Sequence, residues 1–152
     1  MEEFMMLRLL ARTALGVAIA TTLCAQGPAD AEALVKEAVA YAKTHGTYKL
    51  IKEANTPGGT FHRGELYLWV VDMDGVMLAN GANPKLVGKD NSERQDGDSV
   101  HYAREAVKIA EASGKGWFSY RFTNPMTREL QQKECYVERL DEIAIACGAY
   151  KR

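Results

Sequence analysis

Residues 66–80 constrain the fold more than any other stretch of this chain. Leu66-Tyr67-Leu68-Trp69-Val70-Val71 is aromatic and β-branched, the composition of a largely buried strand. Asp72-Met73-Asp74-Gly75 is turn chemistry, with Gly75 free to take a positive φ. Val76-Met77-Leu78-Ala79-Asn80 reads as the return strand, so the segment is a β-hairpin.

The rest of the chain is arranged around that hairpin. Asp30 reads as the N-cap of a helix whose Leu34, Val35, Ala38, Tyr41 and Ala42 share one face, and Gly46 stops it. A shorter helix spans Tyr48 to Ala54 and ends at Thr56-Pro57-Gly58-Gly59. From Gly81 to Gly97 no period is sustained, the pattern of a binding loop or lid. Asp98 or Ser99 is then expected to cap a helix carrying Val100, Ala103, Val107 and Ala110, ended by Gly114. Three strands close the chain, over Gly116 to Phe122, Gln131 to Arg139 and Ile143 to Tyr150. Strands in runs with helices set apart predict a single α+β domain with an antiparallel sheet.

The formal net charge of -1 carries no electrostatic footprint for nucleic acid. No stretch reaches the roughly 20 apolar residues of a spanning helix. Arg8 and Arg12, the uncharged run Ala14 to Leu23 and the small residues after it read as an export signal over residues 1–25, with cleavage as late as 31. A periplasmic or secreted protein with no membrane attachment after cleavage is expected; the alternative is an uncleaved N-terminal anchor facing the periplasm. Cys24 follows Leu23, a poor lipoprotein context. Removal of the signal leaves Cys135 and Cys147 in an oxidising compartment. A three-residue loop at Leu140-Asp141-Glu142 would set these cysteines opposite each other, within reach of a disulfide; a two-residue loop would not.

The residues offer several candidate chemistries. Asp72 and Asp74, in Val-Val-Asp-Met-Asp-Gly-Val, resemble the nucleophile motif of haloacid dehalogenase-type phosphatases. The simpler reading is a turn that both aspartates shape. His45, His62 and His101 share no metal-ligand spacing, and no Cys-x-x-Cys-His motif or phosphate-binding glycine loop is present, so no cofactor is expected. The remaining constellation is aromatic and cationic: Trp69, Tyr102, Trp117, Tyr120 and Tyr136 with Arg121 and Lys133. A small-ligand pocket needs apolar walls and a few placed polar groups, and either cation suits an anion. Alternation puts Trp117 and Arg121 on one face and Tyr120 on the other, so these residues cannot all line one cavity.

Leu66 through Lys89, Gly116-Trp117 through Asn124-Pro125, and Lys133 to Glu138 with Cys147-Gly148-Ala149-Tyr150-Lys151 together resemble the single Cache domain of the second type. The resemblance covers about residues 31–151 and gives a domain assignment of 30–152. It implies a PAS-like antiparallel sheet of five to six strands, a long N-terminal helix and a helix after the central loop. It further implies an extracytoplasmic sensor whose pocket lies on one face of the sheet and takes small metabolites, short organic acids among them. Asn80 stands where many relatives carry His and joins Trp69, Tyr102, Trp117, Tyr120, Arg121, Lys133 and Tyr136 in the expected ligand-binding set. With no signalling region after Lys151, the chain looks like a stand-alone exported form that passes its signal to a membrane receptor, kinase or transporter. The alternatives are a phosphatase using Asp72 and Asp74 and a ligand-free interaction module.

Overall fold

The computed structural model describes residues 25–152; the export signal expected at the N-terminus, with Cys24, lies outside them. Helix α1 (Pro28–His45) begins two residues before the expected cap. Pro28 supplies a φ suited to the first helical position, and the Asp30 carboxylate accepts from the Gly27 N–H at 2.8 Å instead of capping from outside. Its Ala31, Leu34, Val35, Ala38 and Ala42 are buried. Leu34 and Val35 each contribute roughly 1.5–3 kcal/mol by leaving water. Gly46, at φ 90°, breaks the chain into the short α2 (Thr47–Ala54).

Six strands form one sheet: β1 (His62–Arg63), β2 (Leu66–Asp72), β3 (Met77–Asn80), β4 (Lys115–Thr123), β5 (Leu130–Leu140) and β6 (Ile143–Tyr150). The spatial order is β1-β2-β6-β5-β4, with β3 also on β2, and every pairing is antiparallel. The expected hairpin is β2–β3. Asp72 makes its turn: one carboxylate oxygen accepts from the N–H groups of Asp74 and Val76 at 3.0 and 2.9 Å, while Gly75 takes φ 86°. Val76 closes the turn, its carbonyl accepting from the Asp72 N–H at 3.1 Å, and also bridges Asp90 in the following loop.

That loop holds a 3₁₀ turn at Pro84–Leu86 and no other helix or strand before α3 (Tyr102–Ser113). The helix starts later than a cap at Asp98 or Ser99 would allow. Asp96 binds the N–H groups of Asp98 and Val100, and Ser99 sits at φ 64°, so this stretch is committed to a turn. Ala103, Val107 and Ala110 are buried as expected, and Gly114 ends the helix at φ 75°.

The sheet divides two apolar layers. Helix α1 packs on Leu66, Leu68, Val70, Tyr136, Ile145 and Cys147. Helix α3 and the loop cover Tyr67, Trp69, Val71, Tyr120, Cys135 and Val137. The β5–β6 turn is the two-residue kind: Leu140 pairs with Ile143, and Asp141 takes φ 50°. Cys135 therefore faces Gly148, and Cys147 faces Tyr136. The two thiols are free, buried and in different layers, which corrects the disulfide pairing that a longer turn would have permitted.

Candidate functional site

The α3 side of the sheet gathers polar atoms that the fold itself does not satisfy. Period-2 alternation puts Tyr67 and Trp69 of β2 on that face, with Tyr120 and Phe122 of β4 and Lys133 and Cys135 of β5. Lys133 pairs with Tyr150 across β5–β6 and with Tyr120 across β4–β5. Its side chain is wholly buried, and its amine makes no hydrogen bond among the described residues. Aromatic rings surround the amine instead: Nζ lies 3.9 Å from the Tyr67 centroid, 4.9 Å from Tyr150, 5.8 Å from Tyr120 and 5.9 Å from Phe122. Ring faces attract a cation but do not replace a hydrogen-bond acceptor. A buried amine with no acceptor is costly, and a ligand bearing oxygens would remove that cost.

Two further donors lie on the same side of the sheet. Trp69 Nε1 and the Tyr102 hydroxyl are buried and without partners among the described residues. The Tyr102 and Tyr120 rings stack at 5.1 Å, and Trp69 meets them edge-on at 5.9 and 6.4 Å. Burial pushes the Tyr102 hydroxyl up to about 12 and raises those of Tyr120, Tyr67 and Tyr150 as well. All four therefore keep their protons at neutral pH. Tyr150 donates to the Thr123 carbonyl at 3.0 Å and lies 3.4 Å from the Tyr67 hydroxyl, so these two are already engaged. An amine, an indole N–H and a phenol remain, a donor set matched to a small anion's oxygens.

The sequence-derived list divides accordingly. Trp69, Tyr102, Tyr120 and Lys133 come together. Asn80 pairs with Trp69 and is buried, but its side-chain oxygen accepts from the N–H groups of Ala82 and Asn83 at 3.1 and 2.8 Å, holding the start of the loop. Trp117 and Tyr136 pair on the α1 side, their rings 5.1 Å apart and the Tyr136 hydroxyl on Glu138. Arg121 is half-buried at the sheet edge and pairs with Asp98 at 3.5 Å. The structure thus separates Trp117, Tyr136 and Arg121 from the Lys133 cluster. It adds Tyr67, Phe122 and Tyr150, which the list lacked. Tyr67 was legible from its spacing of two from Trp69, whereas Tyr150 needed the β5–β6 register.

The pocket expected on one face of the sheet is closed in this structure around Lys133, whose side chain is wholly buried. Trp69 is 1 % exposed, Tyr102 2 % and Tyr120 3 %; Tyr120 flanks Lys133, and Trp69 and Tyr102 pack on Tyr120 in turn. The Asp72 and Asp74 turn borders a separate groove of about 280 Å³ in which Asp74 lies with Ser92 and Arg104. Asp72 is occupied with the turn, and the sheet is antiparallel where the phosphatase motif needs a parallel one. Among the described residues no group of His, Cys, Asp or Glu side chains is placed to hold a metal ion.

Comparison with known proteins agrees with this architecture. The family model described as single Cache domain 2 matches residues 13–151, beginning inside the segment read as an export signal. The methyl-accepting chemotaxis protein McpP of Pseudomonas putida is 32% identical over 72 residues, which are 47% of this chain and 13% of that receptor. The chain thus spans a small part of the curated relative it matches. A methyl-accepting chemotaxis protein from Vibrio parahaemolyticus superposes with a TM-score of 0.69 at 15% identity, covering 80% of this chain and 86% of that one. A Cache chemosensory domain solved for carboxylic acid recognition gives 0.64 at 23% identity, with the same coverages. The periplasmic sensor domain of a chemotaxis protein gives 0.62 at 22%, covering 80% and 88%.

Proposed function

The chain belongs to the single Cache domain 2 family, and from that premise we propose that it senses a small carboxylate held by Lys133. One observation carries the reading: a fully buried amine ringed by aromatic faces, with no acceptor among the described residues. A carboxylate would take Lys133 on one oxygen and leave the other for Trp69 Nε1 or the Tyr102 hydroxyl, with Tyr120 as the wall between them. The tight ring cluster favours a ligand of a few heavy atoms. The solved Cache domain described for carboxylic acid recognition supports this class of ligand.

The placement we propose is extracytoplasmic, after export through residues 1–25. The signal passes to a separate membrane receptor, kinase or transporter of the chemotaxis kind, a role supported by the chemotaxis receptor among its relatives. No helix among the described residues is long and apolar enough to cross a membrane. N-terminal sequencing of the protein from the periplasmic fraction tests the export step, and an intact Met1 there would refute cleavage.

A thermal-shift screen of short carboxylates against amines and purines tests the ligand class. Carboxylates are expected to stabilise the protein, and Lys133→Met to abolish that gain while the unliganded fold stays as stable or becomes more so. Stabilisation by carboxylates that survives Lys133→Met would place the site elsewhere. The closed interior favours a second reading, a ligand-free docking module, and a screen without any stabilising carboxylate would support it.

A further inference from the structure

If Lys133 receives a ligand, as the proposed function holds, something must open, because the residues over it leave no path. The first turn of α3 backs two of the rings around the amine, Tyr102 stacking on Tyr120 and meeting Phe122 edge-on, and the loop before it leads into that turn. Residues 91–101 contain no helix or strand; Asn91 anchors the start of the segment on the β2–β3 turn, its N–H donating to the Gly75 carbonyl at 2.9 Å, and Glu93 pairs with Arg104 in the open. One side chain fastens the stretch beyond them to the sheet. Asp96 accepts from the N–H groups of Asp98 at 2.8 Å and Val100 at 2.7 Å with one oxygen, and from the N–H of Arg121 at 2.5 Å with the other. Arg121 lies on β4, the outer strand of the sheet, so this carboxylate ties the loop to the sheet edge. Burial opposes the charge on Asp96, yet these backbone donors hold its carboxyl below the ordinary range.

Two lesser contacts follow the same line. Asp98 pairs with the Arg121 guanidinium at 3.5 Å in the open, where such a pair adds little. Gly97 packs closely on Leu130: a Cβ at 97 would lie 2.9 Å from Leu130 Cδ2. The Asp96 carboxylate is thus the principal polar fastening between the loop and the sheet.

We propose that Asp96 is the latch of a lid formed by residues 91–102, and that its release from Arg121 admits and discharges the ligand of Lys133. All three partners of Asp96 are N–H donors, so an amide cannot replace the carboxylate without turning its own N–H₂ toward a donor. Asp96→Asn is therefore the sharp variant, and Asp98→Asn, which touches only the exposed ion pair, is its control.

The test uses the full chain with Trp117→Phe, so that fluorescence reports Trp69 alone. Asp96→Asn is expected to raise hydrogen exchange at residues 97–103 about tenfold, as for a local opening, and to expose Trp69 to acrylamide. It should also speed both association and dissociation of propionate, with affinity changing less than either rate. Asp98→Asn should leave all of these near wild type. A measurement on the unmutated chain guards against a variant that fails to fold. The amides of Asp98, Val100 and Arg121 share one partner and should exchange through a common opening, slowed together by saturating propionate. Three unrelated opening constants, or propionate kinetics indifferent to Asp96→Asn, would overturn the latch. A wild type that binds no short carboxylate would remove the ligand reading itself, and the gating role with it.

Discussion

Lys133 and Gly148 form the pair on which the site turns. The lysine stem crosses the sheet above Gly148, where a Cβ would lie 2.7 Å from Cε and 2.8 Å from Cγ. Gly148 has no left-handed φ, so alanine there tests space alone. Gly148→Ala is expected to destabilise the fold by about 1–3 kcal/mol through overpacking. In a Lys133→Ala background the lysine stem is gone and only the Glu134 carbonyl oxygen, 3.1 Å from the added Cβ, still crowds it, so part of that loss should vanish, a coupling on the order of 1–2 kcal/mol in a double-mutant cycle. Urea unfolding of the four proteins measures it, and strictly additive losses would refute the contact. The aromatic character of the strands was plain in the sequence, and so was the face shared by Tyr67 and Trp69. The isolation of the Lys133 amine was not, because it depends on rings supplied by β2, β4 and β6 at once.

At the scale of the elements, turn chemistry and alternation carried the reading, and register completed it. The β2–β3 hairpin, the loop, the α3 helix and the closing meander all stand where their residue patterns put them, with ends shifted by a few positions. The late start of α3 follows from Asp96 taking the Val100 N–H that a cap at Asp98 would have used and from Ser99 standing at φ 64°. The two-residue turn at Asp141-Glu142 decided the cysteines, since one residue more would have moved Cys147 opposite Cys135. Burial pushes the Cys147 thiol up to about 12 and raises that of Cys135 further. Neither thiol is expected to react with iodoacetamide near neutral pH until the protein unfolds, when both should label. Intact mass before and after denaturation checks this, and a mass change on reduction of the native protein would contradict the free thiols. The same alternation separates Trp117 and Tyr136 from Trp69 and Tyr120, leaving the first pair to cover the α1 side.

Across the whole molecule the buried phenols and thiols predict how stability responds to alkali. Burial raises Tyr67, Tyr120 and Tyr150, and brings Tyr102 and Tyr136 to about 12 from an ordinary 10.0. The cysteines rise from 9.0. In the unfolded chain these groups lose protons at their ordinary values while the folded chain retains them. The unfolded state then binds fewer protons, so stability falls as pH rises. The contribution is whole below the ordinary values and declines from about pH 9 to about pH 12, as linkage requires. Urea midpoints across that window should drop steadily, and a flat or rising profile would show that the rings are wetter than the structure has them.

The sequence alone determined the α+β class, the order of elements, the family resemblance and which strand residues share a face. Each of these follows from chemistry between near neighbours or from the fixed period of a strand. Long-range packing set the register of β5 on β6, the sorting of the candidate residues into two layers and the closure of the site over Lys133. Those depend on pairings between residues far apart in the chain. Whether a buried donor finds an acceptor depends on everything packed around it, which no local pattern records.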